Sequence, residues 1–307
     1  MNTIRIKKPK YIDPTSDFGF KKLFGDEANK DLLIDFLNTI LPEAYQIEDL
    51  TFNKNDHQFD SAEARRVIFD IYCRAKSGEF FIIEMQKAYQ DYFMNRAIFY
   101  TSTSITKQGV KGKQWKYDLK TVFFIGILDF DYDEDLTYWK KRKLLRSFEI
   151  RDEQGVSLSN ILHYKLLQLP FFEKKPHQLR TRFDKWCFFL KNLESLNHIP
   201  NIFKEPIFMK ALSTAEIDNM EPLEYVAYLA AMNAEMDYEL AMEANAARAE
   251  KRGMERGIEK GLQKGIEKGI EKLLKNGILS DIQIADTFEV SIDYIMKIKK
   301  RLNINNS

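Results

Sequence analysis

Residues 69–88 read FDIYCRAKSGEFFIIEMQKA, two apolar runs joined by a short polar loop, each run carrying one acidic residue among bulky neighbours. Strand side chains alternate between faces. Along the first run Ile68, Asp70 and Tyr72 share one face, and Val67, Phe69 and Ile71 share the other. Along the second, Phe80, Ile82, Glu84 and Gln86 lie opposite Phe81, Ile83 and Met85. Both faces are mostly apolar, which predicts a hairpin inside a sheet covered on both sides. Asp70 and Glu84 are then not ordinary surface acids.

Register decides whether the two acids meet. A two-residue Ser77-Gly78 loop would set Asp70 opposite Met85, on the wrong face for Glu84. A three-residue Lys76-Ser77-Gly78 loop sets Ala75 opposite Glu79 and Asp70 directly across from Glu84, with Cβ atoms roughly 4.5–5.5 Å apart. Glycine in the third loop position suits the left-handed residue of that hairpin type. A five-residue loop gives the same pairing.

Two carboxylates closing in a low-dielectric site repel, so one takes up a proton or a cation binds between them. Mg²⁺ (or Mn²⁺) suits one or two carboxylates completed by water and phosphate oxygens. Gln86 shares the face of Glu84, where its amide can orient a water or a phosphate oxygen. The pattern has the chemistry of a metal-dependent phosphodiesterase. The competing reading is a structural pair satisfied by Arg74, Lys76 or a helix N-terminus.

Around the hairpin, Ser16 caps a helix that carries Phe20 and Phe24 on one face, Gly25 interrupts it, and NKDLLIDFLNTIL resumes it until Pro42. A short strand is predicted over 47–52, a helix over 91–108 and a strongly apolar central strand over 119–128. Two further strands follow, over 145–150 and 158–169, split by DEQG. The expected fold is α/β, with helices packed on a mixed sheet, then a helical region and a helical C-terminal tail. Domains are placed at 1–170, 171–247 and 248–307.

In this order the segments TSDFGFKKLFG, VIFDIY, FFIIEMQKA and NRAIFYTSTSITKQ resemble the Rpn family of recombination-promoting nucleases and transposase-like proteins, within the PD-(D/E)xK nuclease superfamily. The resemblance covers most of the chain. It implies a core of helix, three strands, helix and strand, which agrees with the order read above. It implies that Asp70 and Glu84 hold the metal, that Gln86 stands at the superfamily lysine position, and that the activity is Mg²⁺-dependent cleavage of DNA linked to recombination or mobile elements. Phe69 replaces the proline of the superfamily name, which carries no chemistry. Gln86 replaces a lysine, and an amide lacks the full charge of an ammonium. Lys22 or Lys87 could lend that charge, although alternation points Lys87 to the other face.

Other residues are secondary. Asp17 and Lys21 are an i,i+4 pair at a helix start, and the resemblance makes their segment a family signature, so Asp17 is a further site candidate. Arg96 and Tyr100 share a helical face, where the arginine would either meet a phosphate or brace Glu84. Lys107, Lys111, Lys113 and Lys116, interleaved with Trp115 and Tyr117, form either a DNA-contact patch or a solvated loop.

From Gly253 glycine recurs every fourth residue to Gly269, with parallel rows of apolar residues (Met254 to Ile270) and basic residues (Arg256 to Lys272). Each step of four advances 40° around a helix, so the rows wind slowly. Five helical glycines cost about 4–5 kcal/mol relative to alanine. Close approach of a second helix would offset that cost and make a homo-oligomer; a frayed linker is the alternative. Ser280 with Gln283 and then Ser291 cap two short helices in a helix-turn-helix pattern ending in Lys297, Lys299, Lys300 and Arg301. Dimerisation and groove binding both fit it.

The 307 residues include 44% hydrophobic ones, enough for a substantial core. Lys and Arg number 47 against 46 for Asp and Glu, so any basic surface must be local. Cys73 and Cys187 lack metal-ligand spacing, which excludes a zinc site of clustered cysteines. No apolar run approaches a membrane span and the N-terminus lacks a signal-peptide pattern, so a cytoplasmic location is expected.

Overall fold

A computed structural model describes residues 9–53, 56–57, 67–109, 116–132, 142–196 and 198–302. The elements run α1 (Asp17–Phe24), α2 (Lys30–Asn38), β1 (Leu50–Phe52), β2 (Asp56–His57), β3 (Val67–Ile68), β4 (Ile71–Ala75), β5 (Phe80–Gln86), α3 (Phe93–Thr106), β6 (Val122–Leu128), β7 (Leu145–Glu149) and β8 (Leu162–Gln168). Helices α4 (Arg182–Asn192), α5 (Pro206–Ala215), α6 (Pro222–Asn276), α7 (Asp281–Thr287) and α8 (Ile292–Arg301) complete the chain. Two compact units divide at Ala231/Met232, whereas the sequence places boundaries at 170 and 247.

In the first unit six strands form one mixed sheet in the order β1-β4-β5-β6-β8-β7, and β2 pairs separately with β3. The pairs β5–β6 and β6–β8 are parallel, and the remaining pairs of the large sheet are antiparallel. A parallel β5–β6 pair needs a long crossover, which α3 supplies. Helix, three strands, helix, strand is thus the observed core order. Every residue of β6 is buried, as a central strand covered on both faces requires. Tyr72, Ile82, Phe124 and Leu166 pack with Phe93 and Ala97 of α3 on one face. On the other, Phe81 stacks on Phe123 at 5.2 Å between ring centroids and His163 stacks on Phe123 at 4.8 Å.

Residues 171–231 join this unit through an aromatic core. The Trp186 ring of α4 lies 5.7 Å from Phe24 of α1, 5.9 Å from Phe36 of α2 and 4.8 Å from Phe208 of α5. Its indole N–H donates to Asp35 Oδ1 at 2.6 Å, so the buried polar edge is satisfied. The first turns of α6 belong here too, with Tyr228 buried 5.6 Å from the Phe18 ring.

The second unit contains the glycine repeat and a three-helix core of Ile270, Leu274, Ile284, Ile295 and Ile298. Both expected caps are present: Ser280 Oγ accepts from Gln283 N–H while Gln283 returns the bond, and Ser291 Oγ accepts from Tyr294 N–H. Gly269 lies under the Phe288 ring, which would stand 2.7 Å from an added Cβ. Around Gly253, Gly257, Gly261 and Gly265 no described atom lies within 4 Å of that position. Within the unit a side-chain ring thus meets the repeat at one glycine of the five.

Candidate active site

The hairpin takes the three-residue loop. Ala75 N–H donates to Glu79 O at 2.9 Å, Gly78 adopts φ 116°, and Ile71 pairs with Ile83. Continued by one residue, this register sets Asp70 across from Glu84. Regular β4 begins only at Ile71, because the chain bends at Asp70. Where β4 leaves the ladder, side chains take over its hydrogen bonds: Met85 N–H donates to Asp70 Oδ2 at 2.9 Å, and Asp70 N–H donates to Glu84 Oε1 at 3.2 Å. The bend also breaks the expected alternation. Phe69 is buried with Tyr72 and Tyr100, each at 5.1 Å, on the face that strict alternation denies it.

Glu84 is 3% exposed, and the Asp70 side chain keeps 20% of its surface, so the pair opens to solvent on the aspartate side. Burial, followed by the negative charge of Asp70, pushes the Glu84 carboxyl up to about 8. Burial also raises Asp70, against the opposing effects of the Met85 N–H and the Lys21 ammonium.

Two further elements reach the pair. From α3, Arg96 Nη2 stands 3.8 Å from Glu84 Oε2, its Nη1 binds Gln90 Oε1, and its guanidinium lies 5.8 Å from the Tyr100 ring centre. Arg96 Nε is buried without a hydrogen-bond partner among the described residues. Desolvation and the neighbouring Glu84 charge raise the half-buried Tyr100 phenol. Gln86 lies two residues beyond Glu84 at the half-buried end of β5, paired with Leu128. From α1, Lys21 Nζ stands 2.6 Å from Asp17 Oδ1 and 3.8 Å from Asp70 Oδ1.

The structure thus gathers Asp70, Glu84, Arg96 and Tyr100, with Gln86 adjacent and Asp17 touching through Lys21. Lys22 goes elsewhere and is ion-paired with Glu224 of α6. Lys87 pairs with Asp13 at 3.1 Å, as the pleat requires of the residue after Gln86. Sequence reading misses Lys21 as a neighbour of Asp70. Its spacing from Asp17 is visible, but which lysine of the Lys21-Lys22 pair turns toward the sheet depends on how α1 packs. Lys107 and Lys116 are exposed, while Lys111 and Lys113 lie outside the described residues.

As a cation site the pair has two facing carboxylates whose mutual repulsion a positive ion would relieve. Among the described residues no third His, Cys, Asp or Glu joins them. A donor set of two carboxylates suits Mg²⁺, which keeps several waters and fills its sphere with phosphate oxygens. Asp70 and Glu84 would hold it. Among the described residues no helix is long and apolar enough to cross a membrane.

No curated protein and no solved structure matches the chain. A family model described as PD-(D/E)XK nuclease family transposase matches residues 14–245, which include α1, the whole sheet, the acidic pair, and helices α3 to α5. The chain belongs to the PD-(D/E)XK nuclease family transposases.

Proposed function

We propose that the protein is a cytoplasmic Mg²⁺-dependent (or Mn²⁺-dependent) DNA endonuclease that hydrolyses phosphodiester bonds, associated with recombination or mobile elements. The observation that carries this reading is the facing of Asp70 and Glu84 at a bend in the hairpin, with Glu84 buried and Asp70 open to solvent. A divalent ion bound there would polarise water and offset charge developing on the phosphate oxygens. Gln86 would orient the attacking water or a phosphate oxygen through its amide. Arg96, already fixed on Glu84 and Gln90, would hold the glutamate in place and present its guanidinium to the phosphodiester. Lys107 and Lys116 lie beyond the end of α3 and would contribute to DNA contact with Lys111 and Lys113.

A second reading has its own support. Position 86 carries an amide, and Lys22 and Lys87 are held by Glu224 and Asp13. A fold without a charge for the attacking water would bind DNA and assemble, with the glycine-repeat tail joining copies, yet not cut.

The deciding test is nicking of supercoiled plasmid with Mg²⁺ or EDTA, comparing wild type with Asp70→Ala and Glu84→Ala. The nuclease reading expects metal-dependent nicking that both substitutions abolish. Equal behaviour of wild type and Asp70→Ala, or DNA retention on a gel without cutting, sinks it and favours the binding protein.

A further inference from the structure

Among the described residues, Lys21 is the lysine standing beside the acidic pair. Its Nζ is 3.8 Å from Asp70 Oδ1, on the carboxylate that is open to solvent. Its closer partner, Asp17 at 2.6 Å, has a side chain 70% exposed. Exposed i,i+4 pairs are weak and readily exchanged for another partner. The ammonium therefore rests on a contact it can leave and, on a flexible four-carbon stem, can swing about Asp70. The other nearby lysines are committed: Lys22 to Glu224 and Lys87 to Asp13.

Resting on the nuclease reading above, we propose that Lys21 of α1 supplies the positive charge that Gln86 lacks, contacting the attacking water and a non-bridging phosphate oxygen. The water oxygen bonds to phosphorus, and one ester P–O bond breaks with its electron pair on the departing oxygen. The water releases a proton to solvent, the departing oxygen takes one from solvent, and Lys21 remains an ammonium throughout. Its charge offsets the negative charge that grows on the phosphate oxygens. A lysine delivered from a helix outside the hairpin would thus serve the place that the strand position fills in lysine-bearing members of the superfamily.

The test compares single-turnover plasmid nicking by wild type, Lys21→Ala, Lys21→Arg, Gln86→Lys and the double variant Lys21→Ala/Gln86→Lys, together with calorimetric Mg²⁺ binding in the absence of DNA. Lys21→Ala is expected to lose about 10²–10³-fold in rate, Lys21→Arg to retain part, and the double variant to regain at least about tenfold. Mg²⁺ should bind Lys21→Ala at least as tightly as wild type, because a cation beside Asp70 repels the metal. Wild-type rates in Lys21→Ala overturn the inference while leaving the nuclease reading intact. Loss of both cutting and Mg²⁺ binding in Lys21→Ala also overturns it, since the site rather than the charge has gone. If wild type and all variants fail to cut, the nuclease reading fails and the inference with it.

Discussion

The hairpin site and the C-terminal unit handle charge in opposite ways. At the hairpin a carboxylate is 3% exposed beside another acid, in a sheet buried on both faces. In the C-terminal unit charge stays outside an aliphatic core, as where Arg301 lies on the surface against Glu267 and Glu271. Buried like charges cost free energy that the fold alone does not return. Exposed pairs around a small core are ordinary solubilising chemistry. The first arrangement points to a ligand, whereas the second points at most to a surface.

The largest expected effect tests whether the helices after the sheet belong to the same cooperative unit as the site. Trp186→Ala removes the ring shared by α1, α2, α4 and α5 and should cost about 3–5 kcal/mol in denaturant unfolding. A single transition, with β-sheet and helix signals lost together, supports one unit; a separate early loss of helix would split it.

The next effect concerns the buried acid. Because the folded-state value of Glu84 is raised from 4.5 to about 8, the native chain holds a proton that the unfolded chain releases between those values. Stability should therefore fall as pH rises from 4.5 to 8 and level off above. Glu84→Gln removes that part of the slope and should stabilise the metal-free protein at pH 9 by roughly 2–4 kcal/mol. Mg²⁺ should raise the Tm of wild type at that pH and leave Glu84→Gln unmoved. A wild-type profile parallel to that of the glutamine variant would show that the pair is not strained.

In the C-terminal unit the expected effects are smaller and opposite in sign along one helix. Gly269→Ala drives a methyl into the Phe288 ring and should cost about 1–3 kcal/mol in thermal unfolding. Gly257→Ala meets open space and should gain about 0.5–1 kcal/mol from helix propensity alone. If Gly257→Ala instead destabilises, and does so in proportion to dilution, a second copy covers that face.

Much of this was legible because its causes are local. Loop length and Gly78 fix the hairpin register, and Ser16, Ser280 and Ser291 announce their helices through caps that need only neighbouring N–H groups. The unbroken apolar run VFFIGIL marks the central strand. What escaped depends on distant packing. Alternation carries Phe69 to one face, and the bend at Asp70 turns it to the other. Helical spacing pairs Lys21 with Asp17 without telling that Lys21 faces Asp70 while Lys22 meets a helix two hundred residues on. A four-residue glycine repeat looks the same at every step, yet Phe288 meets it at Gly269.

The hairpin's short loop also bears on the order of folding. Strands β4 and β5 are separated by only four residues and can zip early, whereas the parallel partner β6 arrives only after the crossover through α3. The two acids should therefore come face to face while still hydrated, with water leaving them late. Ionisation should then weigh more on the native state than on the transition state. Raising the pH toward 8 should hasten unfolding more than it slows refolding, leaving a chevron whose unfolding arm carries most of the imprint of the site.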